Sequence, residues 1–176
     1  NERYGDNVFL PFSIGLIQAY CQSLDWVNQE YTFKELIYLR ERPAFIVEQM
    51  ENPDVVGFSC YIWNWEFNKV LAKKVREAYP ECLIVFGGPH VPVSVEKRVG
   101  LDYVDVFVNY EGEVVFANIL KERVGEQRYS LVNERVQDLS RLPSPYLVGV
   151  FDSLLKAPYR FHASQETARG CPYSCS

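Results

Sequence analysis

The chain has 176 residues, of which 48% are hydrophobic, 15% aromatic and 23% charged, enough for one full domain with an ordinary core plus part of another. A formal net charge of -5 argues against nucleic acid as the main partner, because phosphate binding needs a basic patch. No apolar stretch is long enough to span a bilayer, and the polar opening Asn1–Asp6 does not read as a signal peptide, so a cytoplasmic location without a membrane partner is expected.

Pro11 to Leu24 reads as a helix, with Pro11 suited to its first turn and Ile14, Ile17, Cys21 and Leu24 on one face. Tyr31 to Leu39 is rich in aromatic and branched residues and predicts a strand. Pro43 opens a short helical pattern through Phe45, Ile46 and Met50. Val55–Ser59 is a short apolar run of the kind found in buried parallel strands. A helix follows in which Phe67, Val70, Leu71, Val75 and Ala78 face inward and Lys69, Lys73, Lys74, Arg76 and Glu77 make the wet face, ended by Pro80. Cys82–Phe86 is a second buried strand, closed by Gly87-Gly88-Pro89. A short helix is expected over Val93 to Val99, a third strand over Val104 to Val108, and a helix over Glu113 to Arg123 with Phe116, Ile119 and Leu120 inside.

Strands alternating with helices, without polar alternation in the strands, predict an α/β fold: a doubly wound parallel sheet covered on both faces. Asn1–Asp6 is too polar and Val8–Leu10 too short for the central strand with which such domains begin. The expectation is therefore that the chain starts after its first strand. From Gly125 to Tyr159 the alternation stops; Leu142-Pro143-Ser144-Pro145 reads as a connector, Phe151–Leu155 as a short helix, and His162–Ala168 as extended.

Three strand ends carry candidate binding residues: Ser59-Cys60-Tyr61, Gly87-Gly88-Pro89-His90 and Tyr110-Glu111-Gly112-Glu113. All three would project to one edge of a parallel sheet, where ligands of such folds bind. Paired glycines allow backbone to approach a large flat ligand, although Gly-Gly-Pro also makes a simple tight turn. Glu111 and Glu113 have the pairing of acid/base carboxylates, but Glu113 at a helix start equally complements the helix dipole, which favours a structural or ligand-contact role. Trp63 and Trp65 suit either a stacking pocket wall or the packing of a helix start. A lone loop histidine such as His90 is more often hydrogen-bonded than metal-bound, and no role is assigned to His162.

Cys21, Cys60 and Cys82 are scattered in apolar surroundings and read as buried thiols. Cys171 and Cys175 differ: they sit four apart in Arg169-Gly170-Cys171-Pro172-Tyr173-Ser174-Cys175-Ser176. A short loop of closely spaced cysteines can wrap an iron–sulfur cluster; on spacing alone, two cysteines also suit a zinc half-site or a redox pair.

Glu166 to Ser176 resembles the start of the radical S-adenosylmethionine (radical SAM) motif C-x-x-x-C-x-x-C, and the chain ends before the third cysteine would come. Upstream, Leu10-Pro11-Phe12-Ser13-Ile14-Gly15-Leu16, Val56-Gly57-Phe58-Ser59, Gly87-Gly88-Pro89-His90 and Glu111-Gly112-Glu113 are similar, in order and separation, to the cobalamin (B12)-binding domain that precedes the radical domain in one branch of that superfamily. The Leu-Pro-rich connector is similar to that branch's bridge. The motif D-x-H-x-x-G, whose histidine binds cobalt from below in many cobalamin domains, is absent from the sequence.

The resemblance implies a flavodoxin-like (Rossmann-type) cobalamin domain over residues 1–126, a linker over 127–160, and the first strand and loop of a radical SAM barrel over 161–176. It implies cobalamin contacts from Ser59, Tyr61, Gly87, Gly88, Pro89, His90, Glu111 and Gly112, and ligation of a 4Fe-4S cluster by Cys171 and Cys175, with S-adenosylmethionine as the third cofactor. The implied activity is cobalamin-dependent methyl transfer. Two alternatives are a radical SAM cyclase or rearrangement enzyme with the same cofactors and a non-catalytic corrinoid-binding module. The implied partners are a small-molecule or peptide substrate and an external electron donor such as flavodoxin or ferredoxin.

Overall fold

The computed structural model describes residues 6–123, 136, 138–167 and 169. Its centre is a three-stranded parallel sheet of β2 (Val55–Ser59), β3 (Leu83–Gly87) and β4 (Val106–Val108), in that spatial order. Val55 to Ser59 stand opposite Leu83 to Gly87 in register, and Val85 to Gly87 opposite Val106 to Val108. A second, two-stranded parallel pair joins β1 (Asn7–Phe9) to β5 (Arg160–His162).

Both faces of the central sheet are covered, as continuous apolar strands require. On one face Phe58, Ile84 and Phe86 pack against Ile46 and Val47 of α3 (Pro43–Glu48) and Leu71, Ala72 and Val75 of α4 (Trp65–Ala78). On the other, Val85, Val106 and Val108 pack against Val115 and Ile119 of α5 (Glu113–Arg123). Beyond α5 lie α1 (Phe12–Gln22) and α2 (Asp25–Glu30), joined to it through Cys21, Val27, Ala117 and Leu120. The strands' period of two sends alternate residues to these two cores. This is the α/β, flavodoxin-like arrangement expected from the sequence.

Several details differ from the expected elements. Tyr31–Leu39 forms no strand: its residues line the same cavity that β2 lines, and aromatic and branched residues make a strand only within a sheet. The inward stripe of α4 is Asn68, Leu71, Ala72 and Val75, whereas Val70 is 51% exposed and Ala78 is also exposed, because the buried stripe lies about one position away from the expected face. The expected helix over Val93–Val99 is one 3-10 turn, Val95–Arg98. The expected helix over Phe151–Leu155 is a run of turns ending in a second 3-10 turn, Leu154–Lys156.

The connector is part of the packing. Phe151 is 1% exposed and lies against Gly15 of α1, within a cluster that also holds Leu10 and Leu154. The Tyr146 hydroxyl donates to Ser164 O (2.6 Å) and accepts from Ser164 N (3.0 Å), which ties the connector to the segment after β5.

Candidate functional site

Each parallel strand of the central sheet ends at the same edge, and the three following loops meet there. At the end of β2, the Ser59 hydroxyl is 3.1 Å from that of Ser13 on α1, linking sheet to helix. The turn after Ser59 is held by two asparagines: Asn64 and Asn68 each donate from Nδ2 to Ser59 O (2.8 and 3.1 Å), and Asn64 Oδ1 accepts from Tyr61 N (2.7 Å). Neither asparagine stands out in the sequence, although Asn68 is a polar residue in an otherwise apolar stripe and only 7% exposed.

After β3, Gly88 has φ 110°, a region that favours glycine. It packs directly on the β2 loop, with Cys60 N donating to Gly87 O (2.6 Å) and His90 N to Cys60 O (3.2 Å). After β4, Tyr110 takes φ 68°, unusual for a bulky residue and typical of strained binding loops.

These loops open onto a cavity of about 1800 Å³ that extends between β2 and the extended Tyr31–Leu39 segment. Ladder alternation turns the backbone groups of Val55, Gly57 and Ser59 to the outer edge of β2, and all three residues line this space. Of the residues singled out in the sequence, Ser59, Tyr61, Gly87, Gly88, Pro89, Glu111, Gly112 and Glu113 all line it. His90 does not: its ring lies edge-on to Trp65, at 5.3 Å between centroids. Trp65 packs edge-on to Phe86 in the core, and Trp63, 64% exposed, stacks on Tyr61 at 4.5 Å; neither tryptophan lines the cavity. Gln18 does line it, and its Oε1 is buried without a hydrogen-bond partner among the described residues.

Glu111 and Glu113 converge on one cation. Arg169 Nη2 contacts Glu113 Oε1 at 2.5 Å, and Arg169 Nη1 lies 3.2 Å from both Glu113 Oε2 and Glu111 Oε2. Arg169 Nε donates to Glu166 Oε2 (2.8 Å). Burial opposes the guanidinium charge, but the hydrogen bonds and negative charge of Glu113 and Glu166 outweigh it and raise the arginine's pKa further. The two carboxylates are thus ion-paired rather than poised for proton transfer. In the sequence Arg169 reads only as part of the cysteine motif.

Cys21, Cys60 and Cys82 are buried, as expected. Burial pushes the Cys21 thiol up to about 12, with the charge of Glu113 adding to the shift, and pushes Cys60 up to about 12 despite a hydrogen bond from Asn68. Cys171 and Cys175 lie outside the described residues. Among the described residues no helix is long and apolar enough to cross a membrane.

Comparison with known proteins agrees with this geometry. The family model "B12 binding domain" matches residues 38–120, which contain β2, β3, β4 and the three strand-end loops. A cobalamin-dependent radical SAM methyltransferase of Streptomyces tokunonensis, TokK, is 36% identical over 193 aligned positions, covering 96% of this chain and 28% of that protein. The 2-(S-pantetheinyl)-carbapenam-3-carboxylate methyltransferase of Streptantibioticus cattleyicolor is also 36% identical, over 190 positions, with 96% and 28% covered. The chain thus spans just over a quarter of the length of the relatives it matches. Among solved structures, the N-terminal domain of a hypothetical protein of Thermotoga maritima aligns with a TM-score of 0.41 at 21% identity, covering 63% of this chain and 84% of that one. Over residues 38–120 the chain matches the B12-binding domain family model, within a stretch similar to cobalamin-dependent radical SAM methyltransferases.

Proposed function

We propose that this chain is the cobalamin-binding part of a radical SAM methyltransferase. The observation that carries the reading is the convergence of three strand-end loops on one crevice within the segment that matches the B12-binding family. The crevice exceeds the ~300–1,000 Å³ usual for drug-sized ligands, as a corrin with its side chains demands. Its chemistry fits: Gly87 lines the crevice without a side chain, and the orphaned Gln18 Oε1 would accept from a ligand amide. Ser59, Tyr61, Gly87, Gly88, Pro89, Glu111 and Gly112 are the proposed contacts. His90, packed on Trp65, stands back from the wall.

Cobalamin, when bound, would supply a transferable methyl group, and a cluster held by Cys171, Cys175 and a third cysteine would supply radical chemistry with S-adenosylmethionine. The chain's own residues bind and orient. Ser13 and Ser59 fix α1 against the crevice, and Asn64 and Asn68 hold the β2 loop. In this reading residues 1–126 form the cobalamin domain, 127–160 the bridge and 161–176 the entry to the catalytic barrel. The open outer edge of β2 supports a further parallel strand beside it, between β2 and the Tyr31–Leu39 segment.

The test uses the longer protein carrying the third cysteine, reconstituted anaerobically with iron, sulfide and hydroxocobalamin. It is supplied with a reductant, methyl-labelled S-adenosylmethionine and the pantetheinyl-carbapenam named for the Streptantibioticus relative. A labelled product heavier by one methyl group supports the reading. A product of unchanged mass would favour the cyclase or rearrangement alternative, and failure to retain corrin would remove the cobalamin assignment.

A further inference from the structure

The Arg169 ion cluster joins parts of the chain that are distant in sequence. Glu111 belongs to the loop after β4, and its Oε2 accepts both Arg169 Nη1 (3.2 Å) and the backbone N–H of Val136 (2.6 Å) in the connector. Glu113 is the first residue of α5, and its side chain is 5% exposed. Its two oxygens meet two nitrogens of the guanidinium, a fork-to-fork pairing that fixes orientation as well as distance. Arg169 itself is only 14% exposed at its side chain. A buried charge of this kind is costly to leave unpaired, so the cluster strongly favours one arrangement of the three segments.

Arg169 also stands two residues before Cys171 in the sequence. The fold around Glu111 and Glu113 needs no such tether, since β4 and α5 are already held by the Val106, Val108, Val115 and Ile119 core. What the ion cluster adds is a tie to the cysteine segment.

We propose that Arg169 is a positioning residue that sets the cysteine segment against the cobalamin crevice, through its paired contacts with Glu111 and Glu113. The proposal rests on the methyltransferase reading above and adds to it a means of aligning two cofactor sites held by different parts of the chain. Lysine would keep the charge but not the fork.

The test compares R169A and R169K with the wild type in the longer, reconstituted protein. Three quantities are read: corrin and iron per chain, hydrogen exchange of the cofactor-free protein over residues 160–170, and the ratio of 5′-deoxyadenosine formed to product methylated. The expected result for R169A is wild-type corrin and iron, faster exchange over 160–170 with β2 and β3 unchanged, and a ratio raised about tenfold or more, since small misplacements are costly in rate. R169K should fall between, and it carries the test if R169A does not fold. Unchanged exchange and ratio in variants that keep both cofactors would overturn the proposal alone. Loss of corrin from R169A would also overturn it, by assigning Arg169 to the crevice itself. A wild type that retains no corrin would overturn the methyltransferase reading and the proposal with it.

Discussion

Gly88 and Cys60 meet backbone to backbone: a Cβ at position 88 would stand 2.7 Å from Cys60 O and 3.0 Å from Cys60 N. Because φ at Gly88 is also 110°, a side chain there is opposed by both torsion and contact. G88A should lower unfolding stability by about 1–3 kcal/mol, read as a lower urea midpoint with an unchanged slope. A midpoint equal to the wild type would show that the two loops are not locked together.

Asn68 bears on the same loop from below. Its Nδ2 is one of two donors to Ser59 O, and the residue is 7% exposed. N68A leaves Asn64 in place, so the expected cost is about 1–2 kcal/mol, within the range for losing one buried hydrogen bond. N64A and N68A together should cost more than the sum of the singles, because Ser59 O then loses both donors; a double-mutant cycle measures this.

Gly15 and Phe151 record how closely the connector packs on α1. A Cβ on Gly15 would stand 2.3 Å from Phe151 Cζ. G15A should destabilise by about 1–3 kcal/mol as the ring is displaced. F151A alone should cost about 3–5 kcal/mol, as expected for a buried aromatic. An unaffected melting temperature in both would show that residues 142–157 are not docked on the helix.

Two of the buried thiols, Cys21 and Cys60, predict an alkaline limit to stability. Each has an ordinary value of 9.0 raised to about 12 in the fold, so the folded state keeps protons that the unfolded state releases. Their contribution is fully present below pH 9 and is lost as pH rises toward 12, each thiol adding a slope of about 1.4 kcal/mol per pH unit. Urea midpoints from pH 8 to 10.5 should fall less steeply in C21A than in the wild type. At pH 8 in the native protein both thiols should resist iodoacetamide, since the thiolate fraction is only about one in ten thousand.

Much of the sheet is legible in the sequence because its signals are local. Val55–Ser59 is an unbroken apolar run, and its bounds match the strand. The glycines and carboxylates at the strand ends are legible for the same reason, as punctuation between runs. Relations across the chain are not. Tyr31–Leu39 has strand composition, but its pairing depends on a neighbour that composition does not reveal. The stripe of α4 is disguised because Val70 is apolar and exposed while Asn68 is polar and buried. The partnership of Arg169 with Glu111 and Glu113 spans 58 and 56 residues, a separation that no periodicity carries.

Whether the strand-end crevice binds cobalamin is read from corrin absorbance per chain after desalting. G87L supplies the control, because a Cβ at Gly87 meets only Val108, its Cβ at 3.7 Å and its O at 4.0 Å, and a longer side chain would project into the crevice. About one corrin should be retained per wild-type chain, and little or none in G87L with its circular dichroism unchanged. A wild type that loses its corrin, or a folded G87L that keeps it, would place cobalamin outside this crevice.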